Sequence, residues 1–203
     1  MSLRAAVLAF AGACAILSPP VNARSEMQAA EQLLIPFSDE EWRQWKVGAQ
    51  AKLPNFTMVE YIPTTRVMEN WDRMLTVQIF HNSAVPLAQF MGRMKAAFET
   101  KCESTQLGSL SGKVNGYDTS QHWLSCSRNK QSGKGEITLT VGIQGRDALY
   151  LVQRAARGEP YAADAGPLPK TEQKAWVTFA KKVRICDPRV AENPCPKGLQ
   201  RAQ

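Results

Sequence analysis

Two spacings of apolar residues alternate along this chain. Leu75, Val77 and Ile79 are interleaved with Thr76, Gln78 and Phe80. That is the two-residue period of a half-buried strand, so residues 70–81 are predicted to be extended. After a break at Ser83–Pro86, Leu87, Phe90, Met91, Met94, Ala97 and Phe98 recur at steps of three and four. They form one stripe of a helix, with Pro86 near its first turn, where a missing N–H leaves no bond unmade. Ile137, Leu139, Val141 and Ile143 alternate with Thr138 and Thr140. A turn at Gln144–Asp147 then leads into a second apolar run, completing a hairpin. Near the other end of the chain, Trp176, Phe179, Ala180 and Val183 line one face of a helix opening at Thr171, and Lys174, Lys181 and Lys182 lie mostly on the other.

Weaker signals fill the gaps. Residues 24–36 carry helical spacing until Pro36 stops it. Ser38 and Glu41 stand in the relation of a capping box, with Phe37 as a staple, which predicts a short helix through about residue 47. Phe56–Ile62 is strand-like and ends at Pro63. Residues 105–128 hold two strands around Asn115-Gly116, a pair that tolerates the positive φ of a tight primed turn. Residues 157–170 are a loop rich in Pro, Gly and Ala, and 187–203 read as an irregular tail. The predicted class is α+β: an antiparallel sheet of about five to six strands, with the helices at 87–101 and 171–185 on one face. The expected organisation is a leader (1–23), an N-terminal helical segment (24–48), a single domain (49–186) and the tail.

The leader carries an address. Arg4 precedes an apolar run from Ala5 to Leu17, Pro19 and Pro20 break it, and Val21-Asn22-Ala23 offers small residues for cleavage after Ala23. These are the parts of a secretory signal. The run is too short for a bilayer core ~30 Å thick. Cys14 raises a lipoprotein reading, but Ala11 stands where such signals prefer Leu. The expected location is the periplasm or the external medium.

Cysteine use agrees with export. Cys102, Cys126, Cys186 and Cys195 form an even set, expected to make two disulfides with three connectivities open. The favoured pairing is 102–126 and 186–195, the second tying off a small loop. No Cys-x-x-Cys pair occurs and neither histidine stands at ligand spacing from a cysteine, so no metal or redox site is expected.

The stretch Glu60-Tyr61-Ile62-Pro63, then Asn70-Trp71 and Leu75-Thr76-Val77-Gln78-Ile79-Phe80, resembles a group of small exported proteobacterial proteins of unknown function. The strand and helix order also resembles the fold shared by PsbP, Mog1 and DcrB. That resemblance implies a protein that binds or assists other assemblies, and it brings no catalytic motif.

Chemistry-bearing residues are few. His81 could serve as a general base at a strand end, but no nucleophile motif accompanies it. His122 lies four residues before Cys126, and a bonded Cys126 would have no thiolate. Neither G-x-S-x-G nor H-E-x-x-H occurs, and Ser132-Gly133-Lys134-Gly135 lacks the spacing of a phosphate loop. The 203-residue chain carries a net charge of +7. Arg128, Lys130 and Lys134 share one loop, and Lys181 and Lys182 share the last helix. Without a recognition motif these cations speak against nucleic acid and for an anionic envelope component or an acidic protein surface. The expected function is that of an exported, non-catalytic binding protein without a cofactor or a transmembrane segment. The alternatives are a small hydrolase using His81, or an inhibitor or immunity-type protein presenting the 157–170 loop.

Overall fold

The computed structural model describes residues 31–162 and 166–196. The leader, Cys14 and residues 24–30 therefore lie outside the described residues. The elements are β1 (Gln32–Leu34), α1 (Asp39–Arg43), β2 (Trp45–Leu53), β3 (Phe56–Pro63), β4 (Arg73–His81), α2 (Leu87–Lys101), β5 (Thr105–Val114), β6 (Tyr117–Cys126), β7 (Gly135–Gln144), β8 (Ala148–Gly158), α3 (Lys170–Lys182) and β9 (Arg184–Cys186). A seven-stranded antiparallel sheet runs in the order β2-β3-β4-β8-β7-β6-β5, and β1 pairs with β9 in a separate ribbon. The α+β class holds, with more strand than the five to six expected.

The apolar run of β8 organises the sheet. Val152 aligns with Val77 on one side and Val141 on the other, and Tyr150 aligns with Ile79 and Ile143. These side chains share a face that is closed by Trp176, Phe179 and Ala180 of α3. Leu149 and Leu151 point the opposite way, under Leu87 and Met91 of α2. The two long helices therefore cover opposite faces, which corrects the expected one-face arrangement. The threonines of β7 misled that expectation. Thr138 and Thr140 are buried at 1% exposure each, not solvated. Thr140 donates its hydroxyl to Gln153 across the ladder, 3.3 Å away. Gly142 marks where α2 crosses β7, since a Cβ there would come within 2.6 Å of Leu87 Cδ1.

The N-terminal expectations also change. The segment predicted to be helical over 24–36 forms strand β1 where it is described. Leu33, Leu34 and Ile35 are all buried, so a strand laid along β9 hides a continuous apolar run that one helical stripe would not. The capping box at Ser38 and Glu41 is formed as predicted. Its helix ends at Arg43, however, and β2 begins at Trp45. β2 (WKVGAQAKL) has little β-branched content, and its extended state comes from antiparallel pairing with β3. The turn at Asn115-Gly116 has φ of 51° and 77°, as its residues predict.

A polar seam fixes the C-terminal segment. Asp187 is fully buried and accepts hydrogen bonds from Arg189 Nε (2.8 Å) and Nη2 (2.9 Å). Arg189 Nη2 also reaches Asp147 Oδ2 at 2.8 Å. Buried Glu31 accepts from the backbone N–H groups of Arg146 (2.8 Å) and Asp147 (3.0 Å). Together these carboxylates and Arg189 tie the segments flanking β1 and β9 to the β7–β8 turn. The Arg189 guanidinium holds the Asp187 carboxyl below its ordinary value, against the opposing effect of burial.

Both faces can be tested separately. Trp176→Ala should cost about 3–5 kcal/mol and Leu151→Ala about 2–5 kcal/mol in denaturant unfolding. A loss under ~0.5 kcal/mol for Leu151→Ala, as at an exposed site, would contradict burial of the second face.

Candidate functional site

His81 closes β4 at the end of the sheet. Its Nε2 lies 3.1 Å from Thr57 Oγ1 on neighbouring β3. Among the described residues its ring makes no hydrogen bond to a carboxylate, so no acid–base dyad forms around it. His122 sits on the α2 face of β6 and is 9% exposed. Burial lowers its pKa below the ordinary 6.5, and the nearby Lys95 ammonium adds to that effect. Cys126 is joined to Cys102, so it offers His122 no thiolate partner. The second disulfide joins Cys186 to Cys195. Among the described residues no group of three or more His, Cys, Asp or Glu is placed to hold a metal ion. No described helix is long and apolar enough to cross a membrane.

The loop cations are engaged within the molecule. Lys134 bonds to Glu159, and Arg128 lies 3.9 Å from Glu103. Lys130 Nζ donates to Thr100 O at 3.0 Å. The described ends of the 157–170 loop are also held. Tyr161 donates its hydroxyl to Glu136 O at 2.9 Å, and Leu168 is 2% exposed.

The helix cations differ. Lys170, Lys174 and Lys181 are exposed along one stripe of α3, with exposed Val177 between them at steps of four, three and four. Lys182, at the end of α3, and Arg184, at the start of β9, are also exposed. None of these five cations makes an ion pair among the described residues. The acidic residue of the helix, Glu172, is turned away and paired with Arg73 at 2.8 Å. Lys170 belongs to this stripe because α3 begins at Lys170, one residue before the predicted start at Thr171.

The opposite side of α3 holds an unusual cation. The Arg154 guanidinium lies 5.0 Å from the ring centres of both Trp176 and Phe179 and 5.7 Å from that of Phe37. Burial pulls its pKa down to about 10, so it stays charged at neutral pH. Phe37 also packs on Trp42 (5.0 Å), Trp45 (5.9 Å) and Phe179 (5.2 Å). These aromatics fill the core around Arg154 and do not line an open groove.

A cleft of about 630 Å³ opens at the N-terminus of α2, beside the ends of β5, β6 and β7. Its wall includes Ser111 and Ser120, bonded to each other at 3.1 Å, and Lys113, paired with Asp118 at 2.9 Å.

No family model matches the chain, and no curated protein matches it. Solved structures with a similar course of the chain include a Pseudomonas aeruginosa protein of unknown function, PA94. It has 14% identity and a TM-score of 0.39, over 67% of this chain and 95% of that one. A mutant form of Mog1 is similar at 10% identity and a TM-score of 0.39, over 67% of this chain and 74% of that one. LpqN of Mycobacterium tuberculosis, described as involved in cell envelope biogenesis, is similar at 13% identity and a TM-score of 0.40, over 77% and 84%. Mog1, whose strand order the sequence resembles, is thus among these neighbours.

His122 gives a pH test. Its folded-state pKa is depressed, so its contribution is full above the unfolded value near 6.5 and is lost as pH falls through the folded value. The wild type should lose stability between pH 7.5 and pH 5 more steeply than His122→Gln in urea unfolding. Parallel pH profiles would show that His122 is not desolvated.

Proposed function

We propose that this protein is an exported, non-catalytic binding protein that docks on an anionic component of the cell envelope through the outer face of α3 and the adjoining β9. One observation carries the reading: Lys170, Lys174 and Lys181 stand exposed on the stripe of α3 that holds Val177, Lys182 and Arg184 are exposed next along the chain, and none of the five has an ion-pair partner among the described residues. A basic stripe with an apolar residue in its middle suits a negatively charged surface, where lysine and arginine each contribute about 1 kcal/mol. The three lysines of the stripe share one helix face, so their fields add at a flat surface. The leader-like N-terminus and the two disulfides support export. The hydrolase alternative lacks a comparable observation, since the partner of His81 is a threonine hydroxyl.

Vesicles with and without phosphatidylglycerol provide the test. Binding should require the anionic lipid and weaken with salt, as screening demands. Lys174→Gln with Lys181→Gln should weaken it by about 2 kcal/mol. Lys130→Gln, which alters a lysine already held by Thr100, should leave it unchanged. Equal binding to neutral vesicles, or indifference to the α3 substitutions, would overturn the reading.

A further inference from the structure

The two edges of the seven-stranded sheet are built differently. The β2 edge carries a bulge between Val47 and Ala49 and has Lys46 and Lys52 near its ends. Bulges and edge lysines are how a sheet resists the addition of further strands. The β5 edge has no bulge and a single lysine, Lys113, near one end. β5 is ten residues long, is paired in unbroken register with β6 and with no other strand among the described residues, and is exposed from Gln106 to Lys113. Lys113 is its one charged residue, and Leu110 is 64% exposed. Among the described residues, the outward-facing N–H and C=O groups of alternate β5 residues therefore have no strand partner.

We infer that a second copy of this chain pairs with this edge, β5 against β5 in antiparallel register about a two-fold axis, to form one continuous sheet through both protomers. A two-fold normal to the sheet keeps each side chain on its own face, and residues opposed in an antiparallel ladder share a face. Pairing centred on Leu110 satisfies both conditions. It sets Leu110 against its own symmetry mate and so covers the most exposed large apolar side chain among the described residues. Gly108 then opposes Gly112, and Leu107 opposes Lys113, whose methylene stem can lie along it. No two like charges meet across the junction, because the two copies of Lys113 fall at opposite ends.

The arrangement also fits sterically. Among the described residues the face that holds Leu110 is left open beside β5, since α3 lies over β7 and Leu110 is 64% exposed. On the other face α2 lies over β6 and β7. The two β6 strands would be separated by three strand spacings, roughly 14 Å. A helix with its side chains is about 10–12 Å across, so the two α2 helices clear one another. The second copy is favoured over a foreign extended peptide because one contact then covers both copies' edges and closes the assembly.

Sedimentation velocity on the protein from its native host, at near-physiological salt, tests the inference. The wild type should sediment at twice the mass of the chain. Leu110→Lys places two ammonium groups opposite each other and should give the monomer. Its circular dichroism should match the wild type, and its unfolding midpoint should no longer depend on protein concentration, as the wild type's should. Leu110→Cys should form an intermolecular disulfide on oxidation, and Leu53→Cys, on the opposite edge, should not. A monomeric wild type overturns the proposal, including one that captures an extended peptide at β5. A dimer that survives Leu110→Lys and does not crosslink through position 110 also overturns it.

Discussion

The structure depends on β8 being buried on both faces. Tyr150 and Val152 need cover on one side of the sheet, and Leu149 and Leu151 need it on the other. Each side chain buried there contributes about 1.5–3 kcal/mol. Neither set can be satisfied by one layer of helix. Two helices are therefore placed on opposite faces, and the rest follows from their positions. α2 connects β4 in the middle of the sheet to β5 at its far edge. β6, β7 and β8 then return strand by strand until β8 closes against β4. α3 is laid across the remaining face with its polar side outward.

That outward side is where the functional reading lies. A helix held by Trp176, Phe179 and Ala180 presents its lysine stripe from a rigid base. Arg73 removes Glu172 from that surface, so the helix's own carboxylate does not offset the stripe. Burial pulls the Glu172 pKa the other way, but the Arg73 hydrogen bond outweighs it and keeps this carboxylate ionised. The loop cations contrast with this. Arg128, Lys130 and Lys134 are as basic in sequence, but the fold spends them on Glu103, Thr100 and Glu159. Charge counted along a chain overstates the charge available to a partner.

Much of this architecture is legible in the residues. Strands β4 and β7 and both long helices announce themselves by period, β3 by its strand-forming residues, β5 and β6 by the Asn115-Gly116 turn between them, β8 by its apolar run after the Gln144–Asp147 turn, and the Ser38–Glu41 box announces its cap. Three features do not, each for a physical reason. β2 has few β-formers and is extended because β3 supplies its partners. β1 reads as a helix because Leu33 and Leu34, followed by Ile35, are consecutive apolar residues in a run too short to show a strand's alternation. The second buried face is hidden because Thr138 and Thr140 look like solvent-facing positions, although the run ALYLV of β8 already has the continuous apolar character of a strand covered on both sides. At the candidate site, the stripe of α3 is visible in the lysine spacing, whereas the neutralisation of the loop cations is not. That depends on contacts such as Lys134 with Glu159, 25 residues apart.

The most direct test of the docking account is hydrogen–deuterium exchange with and without phosphatidylglycerol vesicles, mapped along the whole chain. The account predicts that vesicles slow exchange over residues 170–186 and leave the β3–β4 end around His81 and the cleft at the start of α2 unchanged. Protection centred on either of those two regions, with α3 unaffected, would contradict it.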